Sequence, residues 1–311
     1  MSALADEIIL PLPLREGVGG GGPTRASHPS LPTRVSRNLA PYLLTAPLVL
    51  YMLVFYALPV IAMLLRSVSD PHWSLDNYRQ LSHDSVFFAV FTNTLRVSFV
   101  VTAGSLLLGY PVALALSRLR GGLAAIVVVL VLLPFWTSVL VRSYAWMVLL
   151  GRHGLMNEAL LSTSLIATPL RLLNTPIAVH IAMIHILLPY MILPIASSLR
   201  QIDPALPRAA AGLGASPWRT FIQVMLPLSM PGVAAGTLLV FVLSLGFYIT
   251  PALVGGPHDM MLSMLIAQQV DLINWPYAAC LSATLLAATL TILAAAQRLP
   301  GVRDALQGAS R

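Results

Sequence analysis

The sequence predicts an all-α integral membrane protein built on six transmembrane helices. Three observations predict it. Of the 311 residues, 57% are hydrophobic and 9% charged, with a mean hydropathy of +0.82, whereas about a quarter of the residues in soluble chains are charged. The apolar residues run in long charge-poor segments rather than in the alternating patterns of a water-soluble core. Marking every charged side chain leaves six runs that supply the roughly 20 apolar helical residues needed to cross about 30 Å of hydrocarbon.

The elements follow in chain order. Residues 1–38 form a tail rich in Pro and Gly, including GVGGGGP at 17–23. Acidic residues precede its short apolar stretch IILPLPL, the reverse of a secretory signal's basic start, so the tail reads as an uncleaved disordered extension. The membrane domain occupies 39–299, with spans within 38–65, 86–117, 121–141, 172–199, 228–254 and 274–297. Five are free of charge; the second carries Arg96, whose long side chain reaches the outer headgroups by snorkelling. Between the third and fourth, 143–171 predicts a short interfacial helix with Tyr144 and Trp146 at headgroup depth. A loop at 200–230 joins the fourth and fifth spans, and 300–311 is a second tail. No tandem repeat is present.

Charge sets the orientation. All 18 basic residues are arginine and lysine is absent. With a cytoplasmic N-terminus, twelve of the 18 fall inside, at 15, 25, 34, 37, 118, 120, 200, 208, 219, 298, 303 and 311. The outer loops then hold Asp70, Asp76, Asp84, Glu158, Asp259 and Asp271, and the last of them has no arginine. The positive-inside rule places both termini and the 200–230 loop in the cytoplasm. The net charge of +7 reports orientation and anionic headgroups, and without an aromatic-interleaved basic patch it argues against nucleic acid.

Several chemistries are excluded. A P-loop needs GxxxxGK[ST], because a lysine ammonium helps hold the β and γ phosphates; a chain without lysine has none. There is no HExxH, GxSxG or CxxC. His180 and His185, five apart, lie on different helix faces and make no metal pair. His258 belongs to an outer loop, and the one cysteine, Cys280, reads as packing. The chain is expected to bind no metal or cofactor and to catalyse no reaction.

The 200–230 loop differs from everything around it. Asp203-Pro204 reads as an N-cap with proline at the first helical position. Leu206, Ala209, Ala210 and Leu213 then line one helical face. Gly212 and Gly214 break the helix, Ser216-Pro217 restarts it, and Trp218, Phe221, Ile222, Met225 and Leu226 form a second stripe. Pro227 and Pro231 mark its end. The pattern predicts a bent helix-turn-helix whose second limb lies on the bilayer or the underside of the bundle. By pattern alone such a loop either seals the bundle against headgroups or docks a partner.

This stretch resembles the cytoplasmic EAA loop of ABC importer permeases, which runs roughly E-A-A-x-x-x-G-A, an amphipathic stretch, then L-P-L-x-x-P-G. Ala209, Ala210, Gly214, Ala215, Leu226, Pro227, Leu228, Pro231 and Gly232 occupy matching positions, with Gly212 and Pro217 between them. Arg208 stands where the family has glutamate. FWTSVLVRSYAWMVLLGRHGLMN at 135–157, TPALVGGPHDMMLSMLIAQQ at 250–269 and NWPYAACLSATL at 274–285 are similar to spermidine/putrescine-type permeases, the likeness covering roughly 40–298. The resemblance implies a MetI-like six-helix permease in a bacterial inner membrane. It also implies partners: a second permease, a homodimer of ATP-binding subunits carrying ATP and Mg, and an extracytoplasmic binding protein. The loop at 208–233 is then the expected ATPase dock.

Polar groups near spans nominate a solute path: Asn93, Trp136, Thr137, Arg142, Tyr248, Asp271 and Trp275. Trp136 and Trp275 fit a headgroup belt equally well, and Asp271 a solvated loop. The arginine-free outer stretch around Asp259 and Asp271 suits an approaching cation such as a polyamine. The alternative is a self-contained secondary transporter or channel, which usually needs a midplane carboxylate or inverted repeats; no midplane carboxylate is present.

Overall fold

The computed structural model describes residues 40–69 and 72–298, so the expectations for the 1–38 and 300–311 tails lie outside the described residues. Every regular element among the described residues is helical. The chain divides into two compact units, Met1–Val54 and Phe55–Arg311. Within the first lies α1 (Ala40–Met52); its side chains from Leu48 to Met52 are exposed, as suits a helix that is apolar all round and faces lipid.

The second unit holds α2 (Leu58–Ser69), α3 (Asp76–His83), α4 (Ser85–Arg118), α5 (Gly121–Trp136), α6 (Val139–Leu150) and α7 (Leu155–Ser162). These are followed by α8 (Pro176–Arg200), α9 (Ala205–Gly212), α10 (Pro217–Thr220), α11 (Leu226–Leu245), α12 (Ile249–Val254), α13 (Leu262–Asp271) and α14 (Trp275–Ala296). By length and composition, Thr45–Ser69, Ser85–Arg118, Pro176–Arg200, Pro217–Leu245 and Trp275–Ala296 each suffice to cross a membrane. Gly121–Trp136 and Val139–Ser162, bent by 102° at the break between them, count as a sixth when taken as one broken span.

The core forms around α8. Half of its most apolar window is buried, against a third or less for the other spans. Lipid tails are as apolar as leucine, so helices associate in a bilayer by close packing rather than by exclusion of water. Small residues on the neighbours allow that approach. Gly109 of α4 and Gly236 of α11 both face Met191, and Gly232 rests against the Pro194 carbonyl and Ser198. Val101, Met183, Met191, Ile195 and Val240 are completely enclosed there.

The two ends of the bundle are tied differently. At one end, Arg200 Nη2 donates to the Leu116 carbonyl (3.2 Å) and Arg118 Nη2 to Met225 Sδ (3.4 Å). At the other, Asp84 Oδ1 caps α4 by accepting from the N–H of Val86 (2.8 Å) and Phe87 (3.4 Å), and Tyr277 donates to Asp84 Oδ2 at 2.6 Å. Arg96 precedes Arg118 by 22 positions, about 33 Å of rise, and its side chain is exposed, which suits the expected reach to the opposite headgroups.

Three expectations need correction. The third span does not run straight through 121–141: α5 stops at Trp136, Thr137 is extended, and Ser138 caps a new helix. Pro134 has already removed one ladder N–H, and Ser138 Oγ accepts from the Leu140 N–H (3.3 Å), so ending and restarting are both satisfied locally. The predicted interfacial helix therefore begins at Val139, and α7 forms a second piece. The fifth span is Pro217–Leu245 rather than 228–254. Leu226–Leu245 continues from α10 through a π-helical turn at Phe221–Met225, so the second limb of the loop is the foot of a span and not a separate surface helix.

Candidate functional site

The 203–217 helix-turn protrudes from the end that carries Arg118 and Arg200. Asp203 Oδ1 accepts from the Ala205 N–H at 2.8 Å, so the predicted cap forms, with α9 assigned one residue later than the proline rule suggests. The helix closes with a Schellman pair: Ala215 N–H to the Ala210 carbonyl and Gly214 N–H to that of Ala211, both 3.0 Å. Gly214 has φ +84° and open space where a Cβ would stand, so the turn requires its backbone freedom rather than its small size. Ser216 Oγ then accepts from the Arg219 N–H (3.3 Å), with Pro217 at the first helical position.

This unit leaves most of the predicted apolar face open, with Ala210 alone of its four residues half-buried. Leu206 is 47% exposed, Leu213 90%, and Ala209 also faces out. Trp218, 67% exposed, stacks on Phe221 (centroids 5.6 Å apart). Phe221 meets the Tyr110 ring edge-on at 5.7 Å, and the Tyr110 hydroxyl lies 2.8 Å from Ser229 Oγ. The turn is thereby connected through aromatic contacts to α4 and α11. Arg208 is exposed, and its Nε donates to the Pro204 carbonyl in its own first turn (3.0 Å). Leu226, Pro227, Pro231 and Gly232 belong to α11; Gly232 is buried against α8, which makes it a packing residue.

The proposed path residues do not converge. Asn93 Nδ2 donates to the Met260 carbonyl (3.0 Å), and beside it Thr94 Oγ1 accepts from the Leu262 N–H (2.8 Å); both pin the 255–262 loop to α4. Trp136 is 74% exposed, like a belt residue, and Thr137 Oγ1 donates to the Pro134 carbonyl (3.1 Å). Tyr248, Asp271 and Trp275 stand exposed at helix ends. Asp259, expected to face a cation, is buried, and its Oδ2 accepts from the Gly256 N–H at 2.8 Å, which makes it a loop cap.

Arg142 is the exception, because the break after α5 folds α6 over α8 and α12. Ser143 Oγ lies 2.8 Å from Thr250 Oγ1. Trp146 Nε1 donates to His185 Nδ1 at 3.3 Å, the rings meeting edge-on at 5.5 Å, which leaves the His185 proton on Nε2. Phe135 packs on Tyr190 with centroids 4.8 Å apart. Arg142 lies within electrostatic reach of both Tyr190 and His185. His185 also lines a mainly apolar cleft of about 280 Å³ between α4, α5 and α8. The sequence analysis took His185 only as far as excluding a metal pair and passed over Tyr190; the signal was a polar ring within a charge-free run. Among the described residues no cluster of His, Cys, Asp or Glu suits a metal ion.

An all-helical bundle of apolar spans, one of them broken, packed through buried glycines and carrying an exposed apolar turn, defines a multi-span membrane protein. Comparison supplies the particular family. Residues 38–303 match the binding-protein-dependent transport system inner membrane component family, and the chain belongs to it: it is an ABC importer permease and a transport subunit, not an enzyme. The spermidine/putrescine transport system permease protein PotB of Escherichia coli (strain K12) is 38% identical over 214 residues, covering 68% of this chain and 78% of that one. The PotB protein of Haemophilus influenzae is 35% identical over 229 residues (73% and 75%). The putative 2-aminoethylphosphonate transport system permease protein PhnU of Salmonella paratyphi A is 30% identical over 256 residues (79% and 86%). A crystal structure of a bacterial ABC transporter importing the polysaccharide alginate shares the fold, with a TM-score of 0.69 at 19% identity over 85% of this chain and 97% of that one. Membership sets aside the self-contained secondary transporter or channel.

Proposed function

We propose that this permease carries a small organic amine, of the polyamine class named for its PotB relatives, and that the 203–217 turn is its cytoplasmic coupling element. The observation that carries the coupling role is the uncovered apolar face at Leu206, Ala209 and Leu213, held rigid at both ends by Asp203 and Gly214. Gathered on one helical face, the three side chains form a contiguous apolar patch rather than a scattered leucine, and such patches mark interaction sites. The partner is a homodimer of ATP-binding subunits, since this chain has no lysine with which to build a P-loop. ATP and Mg reside there. A second six-helix permease completes the bundle, and an extracytoplasmic binding protein delivers the cargo. The arginine asymmetry supports both termini in the cytoplasm.

Closure of the ATPase halves pushes the turn. Because α10 is continuous with α11 through the π-helical turn, that push reaches the Gly232 and Gly236 contacts on α8 and tips a two-state bundle from inward-facing to outward-facing. Arg208, exposed and still charged although its Nε donates to the Pro204 carbonyl, either meets a compensating charge on the partner or leaves the contact to shape. Of the candidate path residues Arg142 is the best supported by its position, since Tyr248, Asp271 and Trp275 stand exposed at separate helix ends.

The test is co-purification with the ATP-binding subunit, followed by ATP-driven putrescine uptake in liposomes. Leu213→Asp is expected to leave the permease folded and to lower uptake and stimulated hydrolysis at least tenfold. Uphill solute movement by this chain alone, without nucleotide, would overturn the reading.

A further inference from the structure

Past the end of the broken span, two arginines share a hollow. Arg152 and Arg171, 19 positions apart in sequence, both line a cleft of about 370 Å³ whose other walls are mainly Leu170, Leu172 and Leu173. That volume lies within the range of small-molecule sites. Asn157, completely buried, fixes both walls. Its Nδ2 donates to the Gly151 and Leu170 carbonyls (both 3.0 Å), and its Oδ1 accepts from the Leu170 N–H (2.8 Å). Arg152 sits in the turn that the Gly154 N–H closes on the Gly151 carbonyl (2.9 Å). A Cβ on Gly154 would strike the Val148 carbonyl, so this turn is pressed onto the end of α6. The other wall is anchored again where the Asn174 N–H donates to the Val254 carbonyl (3.0 Å). The two guanidinium groups are therefore carried on segments held in place before any ligand arrives.

The lining is cationic and apolar at once. No carboxylate belongs to it, and Glu158, the nearest in sequence, lies outside it. Its depth is set by α8. Pro176, two positions past Asn174, precedes Arg200 by 24 positions, about 36 Å along the helix. A hydrocarbon layer is about 30 Å thick, and about 40–45 Å with its headgroups. Measured from the Arg200 end, the cleft lies among the opposite headgroups. Leu155, Met156 and Leu165, on and just after α7, are exposed in the same segment, as on a short helix lying in the interface.

We propose that this cleft holds the phosphate of an anionic phospholipid, of the phosphatidylglycerol type, in the leaflet opposite Arg118 and Arg200. Guanidinium forks match phosphate oxygens with paired N–H donors. The leucines cover the glycerol and the first methylenes of the acyl chains, for which a carboxylate from a protein partner has no use. With no carboxylate in the lining to receive an ammonium, a zwitterionic headgroup is the poorer fit. A phosphate bridging both arginines ties the end of α6 to the segment entering α8, and so braces the broken span at its outer edge.

The full chain purified in detergent tests this by native mass spectrometry and by thermal unfolding, during titration with phosphatidylglycerol or phosphatidylcholine. The wild type is expected to retain one phosphatidylglycerol about tenfold more tightly than phosphatidylcholine and to unfold at a higher temperature with it. Arg152→Gln/Arg171→Gln loses that preference. Each single variant weakens it about threefold, so the result does not hang on how the double variant folds. Arg79→Gln, at an exposed position of the same end, changes nothing. Equal retention of the two lipids by the wild type, or an unchanged preference in the double variant, overturns the proposal. An equal loss in Arg79→Gln also overturns it, by assigning the effect to general surface charge. Inorganic phosphate that displaces the lipid at low millimolar concentration overturns the lipid assignment in favour of a soluble anion. A double variant that keeps its lipid but no longer binds the extracytoplasmic binding protein overturns it in favour of a protein carboxylate.

Discussion

Gly232 and Gly214 lie 18 positions apart within one family-like stretch, yet they do opposite work. A Cβ on Gly232 would meet Ser198 Cβ at 2.5 Å and the Pro194 carbonyl oxygen at 2.6 Å. A Cβ on Gly214 would meet nothing within 4 Å, and there φ of +84° is the constraint. The first glycine lets two spans touch; the second lets a chain turn in the open. A region packed on α8 and an exposed turn thus sit at the two ends of one stretch, joined by the helix that begins at Pro217.

Substitutions should separate the two regions. The largest effect is expected from Gly232→Leu, which drives a side chain into the α8 backbone: about 3 kcal/mol or more of lost stability, read as a fall in unfolding temperature in detergent and in membrane yield. If that variant melts like the wild type, α11 does not pack on α8 as described. Next is Asp84→Ala, which removes the α4 cap and the Tyr277 bond and costs about 1–2 kcal/mol. The hydrogen bond from Tyr277, ahead of those from Val86 and Phe87, holds the Asp84 carboxyl below its usual 3.8. Its contribution is therefore present above about pH 4 and is lost as pH falls through the lowered value. Melting curves at decreasing pH should show a steeper acid-side fall in the wild type than in Asp84→Ala.

Gly214→Val should cost about 1–2 kcal/mol of backbone strain while removing most ATP-driven uptake, so that membrane insertion and transport part company. Unchanged transport in that variant would remove the coupling role from the turn. The smallest change in stability belongs to Leu213→Asp, under about 0.5 kcal/mol, because no residue of this unit packs over that side chain. A large loss of stability there would mean that the face is buried after all.

Much of this was legible in the sequence where the cause was local. The caps at Asp203 and Ser216 and the stop at Gly214 were readable because each depends on backbone groups two to five residues away. The spans were readable because carrying charge into hydrocarbon is costly wherever it occurs in the fold. The 102° break was missed because a hydropathy window averages over PFWTS, although Pro134 and Ser138 mark it for a reader who weighs caps inside apolar runs. Asp259 was misjudged because only its fold-back onto Gly256 reveals that its oxygen is engaged.

Composition and the absence of lysine by themselves determined that this chain lives in a membrane and carries no P-loop. Only the tertiary structure decided which glycines are contacts, which candidate polar residues are clamps and which arginines share a cleft. The physical reason is range. Partition between lipid and water acts on each residue separately and can be added along the chain, whereas the worth of a single side chain such as Asn157 depends on what other segments bring within about 3 Å of it.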